Sequence, residues 1–141
     1  MAFPHPALIL LGPTGSGKTP LGDALAEHGV GGRCCLHFDF GAELRRAAVW
    51  DRSDPSDVSD LSMDDRTFIR RVLEEGALLE PENFPVAERV LKAFLARACP
   101  GDPAAVRASR GAPGNHAAAP EQVLLVLNGL PRHIDQAKAL C

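Results

Sequence analysis

Gly12-Pro13-Thr14-Gly15-Ser16-Gly17-Lys18-Thr19 fits the spacing G-x-x-x-x-G-K-[ST] and governs how the rest of the chain is read. Ahead of it, Ala7-Leu8-Ile9-Leu10-Leu11 is an apolar run of strand length. Behind it, Leu21, Ala24, Leu25 and His28 recur at helical spacing. A strand–loop–helix frame is what makes this spacing a phosphate-binding loop and not merely a glycine-rich turn. Glycine at 12, 15 and 17 opens backbone conformations closed to other residues and lets the main chain approach a phosphate. The amide N–H groups then converge as an anion nest at a helix N-terminus, where the helix dipole adds partial positive charge. Lys18 is placed to reach the β- and γ-phosphates of ATP, and the Thr19 hydroxyl to ligate Mg2+. Pro20 is tolerated because the first helical turn has unpaired N–H groups anyway.

The 141 residues suit a single domain, and 45% hydrophobic content is enough for a core. A net charge of −3 argues against a broad nucleic-acid surface. No apolar run is long enough to cross a bilayer, and no basic, apolar secretory leader is expected at the start. Cys34 and Cys35 are adjacent on a predicted strand and face opposite ways, while Cys99 and Cys141 are isolated. Without a C-x-x-C spacing, all four read as reduced thiols of a cytoplasmic protein. The expectation is a small-molecule site, with no nucleic-acid partner and no membrane.

Strand and helix signals alternate along the chain. Strands are predicted at 7–11, 33–38 and 123–127, and helices at 17–28, 41–49 and 63–75. Ser62 and Asp65 have the spacing of a capping box, and Gly76 that of a helix C-cap. Val86, Val90, Leu91, Phe94 and Leu95 mark a further amphipathic helix ending near Ala98, and a last helix follows Pro131. Residues 100–120 are rich in Pro, Gly and Ala without periodicity and read as a flexible loop. Val123 to Leu127 is apolar throughout, as in a central parallel strand buried on both faces. Strands separated by crossover helices predict an α/β fold with a parallel sheet. Its core would be 1–38 and 121–141, with a helical region at 41–99.

The residues after the third strand, Val-Leu-Asn-Gly-Leu-Pro-Arg-His-Ile-Asp-Gln-Ala-Lys-Ala-Leu at 126–140, closely resemble a signature of the adenylate kinase family. There an apolar strand runs into Asp-Gly-[Phe/Tyr]-Pro-Arg and a helix carrying Gln. Phe38-Asp39-Phe40-Gly41-Ala42-Glu43-Leu44-Arg45 likewise resembles that family's Gly-Asp-x-Leu-Arg segment. The resemblance covers 7–50 and 121–141 well and 63–98 loosely. It implies a P-loop NTPase sheet with a helical monophosphate-binding insertion. It also implies transfer of the γ-phosphoryl group of ATP to a nucleoside monophosphate, with Mg2+.

On this resemblance, residues 12–19 bind the ATP phosphates and Lys18 and Arg132 serve catalysis. Arg45 and Arg132 clamp the acceptor phosphate, because a guanidinium fork matches phosphate oxygens. Gln136, one helical turn after Arg132, reads the acceptor base. Asp39 is placed on the acceptor side by its position at a strand's carboxyl end, where parallel α/β sheets bind ligands. Asn128 stands where the family has an Asp that helps hold magnesium through water, and an amide is a weaker ligand for this hard cation. Phe40 and Ala42 replace a Thr and an Asp of the acceptor segment. The family continues beyond the helix after the third strand with two more strands and an arginine-bearing lid, so the chain reads as truncated. A complete chain is expected to be monomeric, and an unpaired apolar sheet edge to favour self-association. Two other readings remain: a nucleotide-binding module without efficient catalysis, and a transfer RNA prenyltransferase, whose opening loop resembles Gly-Pro-Thr-x-Ser-Gly-Lys-Thr.

Overall fold

In the computed structural model, residues 6–49, 60–77, 79–98, 123–131 and 134–140 are described. The expected loop at 100–120 and Arg132, Cys99 and Cys141 lie outside them. The elements are β1 (Ala7–Leu10), α1 (Lys18–His28), β2 (Cys34–Asp39), α2 (Phe40–Val49), α3 (Met63–Glu75), α4 (Phe84–Ala98), β3 (Val123–Asn128) and α5 (Ile134–Leu140). The three strands form one all-parallel sheet in the order β1-β3-β2. β3 is therefore central, as its unbroken apolar run predicts, and five of its six residues are buried.

The two faces of the sheet receive different partners, set by the period of 2 along each strand. Leu36 and Phe38 of β2 pair in register with Leu125 and Leu127 of β3 and face the main core. There they meet Phe40 and Leu44 of α2 and Leu91 and Phe94 of α4. The Phe38 ring lies 5.2 Å from that of Phe94 in an edge-on arrangement. The alternate residues His37, Asp39 and Asn128 face the side where α1 crosses. Gly22 of α1 lies so close to the His37 ring that a Cβ there would overlap it.

Local sequence chemistry fixes the helix ends. Ser62 and Asp65 form the expected capping box, each side chain accepting from the other residue's N–H at 3.1 and 3.0 Å. Gly76 closes α3 in the left-handed conformation. Arg89 of α4 clamps the Asp65 carboxylate with two bonds of 2.6 and 3.0 Å, which ties the start of α3 to α4. Partial burial opposes ionisation of Asp65, but Arg89 and the Ser62 donors outweigh it and hold its carboxyl below the usual range. Arg70 of α3 donates to the Ala48 carbonyl at 2.7 Å and so caps the end of α2.

Two boundaries differ from the sequence reading. A 3-10 turn at Pro81–Asn83 leads into α4, which begins at Phe84, ahead of the Val86 that opens the predicted periodicity, so Pro85 sits in its first turn. α2 begins at Phe40, directly after β2, because Asp39 caps it: the Ala42 N–H donates to Asp39 Oδ1 at 3.0 Å. The face of α1 marked by Leu21 is also not a buried one. Leu21 is 51% exposed, and Gly22 is the buried residue of the helix. No helix among the described residues is long and apolar enough to cross a membrane.

Candidate functional site

Residues 12–19 connect β1 to α1 at the carboxyl edge of the sheet. Gly12, Gly15 and Gly17 all have positive φ, at 154°, 80° and 86°, so the loop needs glycine at these three places. Gly12 has a second constraint, since a Cβ there would lie 2.7 Å from Ser16 Oγ. Gly17 is the N-cap of α1, and no side chain caps the helix. The first N–H groups of α1 therefore point outward for an acceptor to bind. Lys18 Nζ donates to the carbonyls of Gly12 and Pro13 at 2.7 and 2.6 Å, which holds the ammonium over the loop. A depression of about 460 Å³ adjoins it, lined by Leu10, Leu11, Gly12, Lys18 and Leu21.

A polar cluster spans the strand ends beside this loop. Thr19 Oγ1 donates to Asp39 Oδ2 at 2.8 Å. Asn128 is the register partner of Asp39 across β2 and β3, and it is buried. Its Nδ2 faces Thr19 Oγ1 at 3.0 Å, Asp39 Oδ2 at 3.2 Å and His37 Nε2 at 3.5 Å. A carboxylate only accepts, so the amide must present its N–H donors here and turn its oxygen away. His37 Nδ1 lies 2.9 Å from Asp23 Oδ1, so the ring is held between the Asp23 carboxylate on one side and the Asn128 amide on the other. Partial burial opposes ionisation of Asp39. The Ala42 N–H, the Thr19 hydroxyl and the nearby His37 and Arg45 outweigh it and hold the carboxyl below its usual range.

On the far side of Asp39, Gly41 lies between its carboxylate and Arg45. A Cβ at Gly41 would lie 3.5 Å from Asp39 Oδ1 and 3.6 Å from Arg45 Nη1, so the carboxylate and guanidinium flank one glycine. Gly41 also lines an apolar pocket of about 210 Å³ with Phe40, Leu44, Val72, Leu73 and Leu79. Phe40, which replaces a polar residue of the resembled segment, is thereby a wall of this pocket.

Comparison with family models, curated proteins and solved structures finds no match for the chain.

The structure brings Lys18, Thr19, Asp39 and Asn128 to one edge, with Arg45 next to Asp39. Gln136 is only 2% exposed and has a partner within the protein. Among the described residues no group of three or more His, Cys, Asp or Glu could hold a metal ion. Two oxygen donors suited to a cation, the Thr19 hydroxyl and the Asp39 carboxylate, lie together at the loop, 2.8 Å apart. That donor set fits magnesium, which keeps several waters and is bound through one or two protein groups plus substrate phosphates.

Sequence reasoning missed Asp23 and His37. The signal was present in their spacing: Asp23 follows Thr19 by one helical turn, and His37 precedes Asp39 by two strand residues. Each pair shares a face, and both faces meet at Asn128.

Proposed function

We propose that this chain is a P-loop nucleoside monophosphate kinase that moves the γ-phosphoryl group of ATP to a monophosphate acceptor. The observation that carries the reading is the triple positive-φ glycine loop opening directly onto Lys18 and Thr19 at an uncapped helix N-terminus. The backbone N–H groups and Lys18 would hold the β- and γ-phosphates, the arrangement expected of helix-terminus phosphate sites. Thr19 and Asp39 would hold magnesium, which when bound would supply positive charge to the phosphates.

Arg45 is proposed to hold the acceptor phosphate, with Arg132 added on the strength of the sequence resemblance. The apolar pocket beside Arg45 suits a flat ring attached to that phosphate. An acceptor phosphate oxygen would attack the γ-phosphorus in line, the bond to the β–γ bridging oxygen would break, and ADP would leave with both electrons. There is little covalent work for the protein, so positioning and charge neutralisation carry the rate.

The test is a coupled assay with MgATP and a panel of nucleoside monophosphates. The expected result is ADP release that depends on a monophosphate, with KM for that acceptor raised in Arg45→Ala. ATP binding without transfer to any monophosphate would replace the kinase with a nucleotide-binding module. Turnover that requires RNA would favour the prenyltransferase.

A further inference from the structure

We infer that the metal-serving carboxylate of this site is Asp39 on β2, and that Asn128 on β3 is its anchor. This rests on the reading of residues 12–19 as a triphosphate-binding loop. At the strand edge nearest Thr19 there are two facing positions, 39 and 128, paired Cα to Cα in the parallel ladder. The resemblance places the acidic group at 128. Here the assignment is exchanged, with the amide at 128 and the carboxylate at 39.

Three observations support the exchange. The Thr19 hydroxyl, the loop's own cation ligand, donates to Asp39 Oδ2 at 2.8 Å. Both oxygens of Asp39 are directed: Oδ1 caps α2 through the Ala42 N–H, and this leaves Oδ2 aimed at the loop. Asn128 turns N–H donors toward the cluster, a polarity that repels a cation and holds a carboxylate. Asp23 and His37 complete the arrangement from behind. Asp23 holds His37 through Nδ1, and Nε2 lies against the Asn128 amide. A carboxylate at both positions would set two negative charges about 3 Å apart, so one carboxylate and one amide is the stable pairing without a cation.

The arrangement makes positions 39 and 128 interchangeable in charge, which gives a direct test. ATP affinity is measured by calorimetry with Mg2+ and with EDTA, for the full chain, Asp39→Asn, the exchanged pair Asp39→Asn with Asn128→Asp, and Lys18→Ala. Binding of Mn2+ with ATP is followed in parallel by electron paramagnetic resonance, and circular dichroism melts check that each variant is folded. Asp39→Asn is expected to keep its affinity in EDTA and to lose the tightening by Mg2+, with Mn2+ affinity down about 10- to 100-fold. The exchanged pair is expected to recover both.

Undiminished Mg2+ tightening in Asp39→Asn would overturn the inference and leave the loop reading intact. So would a folded exchanged pair that recovers nothing. Absence of ATP binding by the full chain, or affinity unaffected by Lys18→Ala, would overturn the loop reading and the inference with it.

Discussion

Phe38 on β2 is wholly buried between Phe40 and Phe94, whereas Ile9, on the other neighbour of the same central strand, is 42% exposed. The contrast runs through both halves. On the β2 side, strand, α2, α3 and α4 share one continuous apolar cluster. On the β1 side, Leu8, Ile9, Leu11 and Leu21 are all exposed, and α1 buries only Gly22. The glycine loop of residues 12–19 lies in this second half. Its shape therefore comes from glycine dihedrals, hydrogen bonds and pairing with β3, with little contribution from packed side chains. Regions with few buried apolar contacts open at low free-energy cost, and ligand-binding segments are commonly drawn from them. Substitutions in the two halves should accordingly fail in different ways.

The largest effect is expected at Phe38. Phe38→Ala removes a fully buried ring and should cost about 3–5 kcal/mol of stability. Ile9→Ala should cost roughly 1 kcal/mol or less, because much of that side chain already meets solvent. Urea denaturation of the two variants measures the comparison. Equal losses would mean that the β1 side is as well packed as the β2 side.

Gly22→Ala probes the one tight approach on the β1 side. The added methyl runs into the His37 ring, and overpacking of this kind costs roughly 1–3 kcal/mol. It should also loosen the contact of His37 with Asn128, which an upfield change in the Asn128 side-chain amide proton signals would report. A neutral Gly22→Ala would show that α1 can shift freely on the sheet.

Much of this was legible in the sequence, and the reasons for success and failure are physical. The Ser62–Asp65 box, the Gly76 cap and the loop glycines depend on residues within a few positions of each other, so a local pattern carries them. The central place of β3 followed from its unbroken apolar run. The polar cluster was partly hidden, because Asn128 meets Thr19, His37 and Asp39 only after crossovers of about ninety residues or more. Leu21 misled for the opposite reason. Its spacing marks an apolar face, but the close contact of α1 with β2 is made by a glycine, which adds nothing to hydrophobic periodicity.

A smaller effect, confined to the packed half, is expected from pH. Asp65 is held below its ordinary value of 3.8, so its ionised form stabilises the fold. That stabilisation is fully present above pH 3.8 and is lost as pH falls from there through the lower folded value. Asp65→Asn should flatten the acid limb of the stability profile in that window and lower stability at neutral pH by about 1 kcal/mol, near the worth of a helix cap. An unchanged acid limb would remove Asp65 from the account.

The loop's role is tested most directly by titrating ATP into the chain and into Lys18→Ala, with melting curves recorded for both. Lys18 places a charged donor where the β- and γ-phosphates would lie, and charged hydrogen bonds are worth about 1.5–3 kcal/mol. The predicted result is saturable ATP binding by the chain. In Lys18→Ala the affinity should fall on the order of tenfold to a hundredfold, with stability changed by less than about 0.5 kcal/mol. Equal ATP affinity in a folded Lys18→Ala protein would contradict the assignment of residues 12–19 as a nucleotide-binding loop.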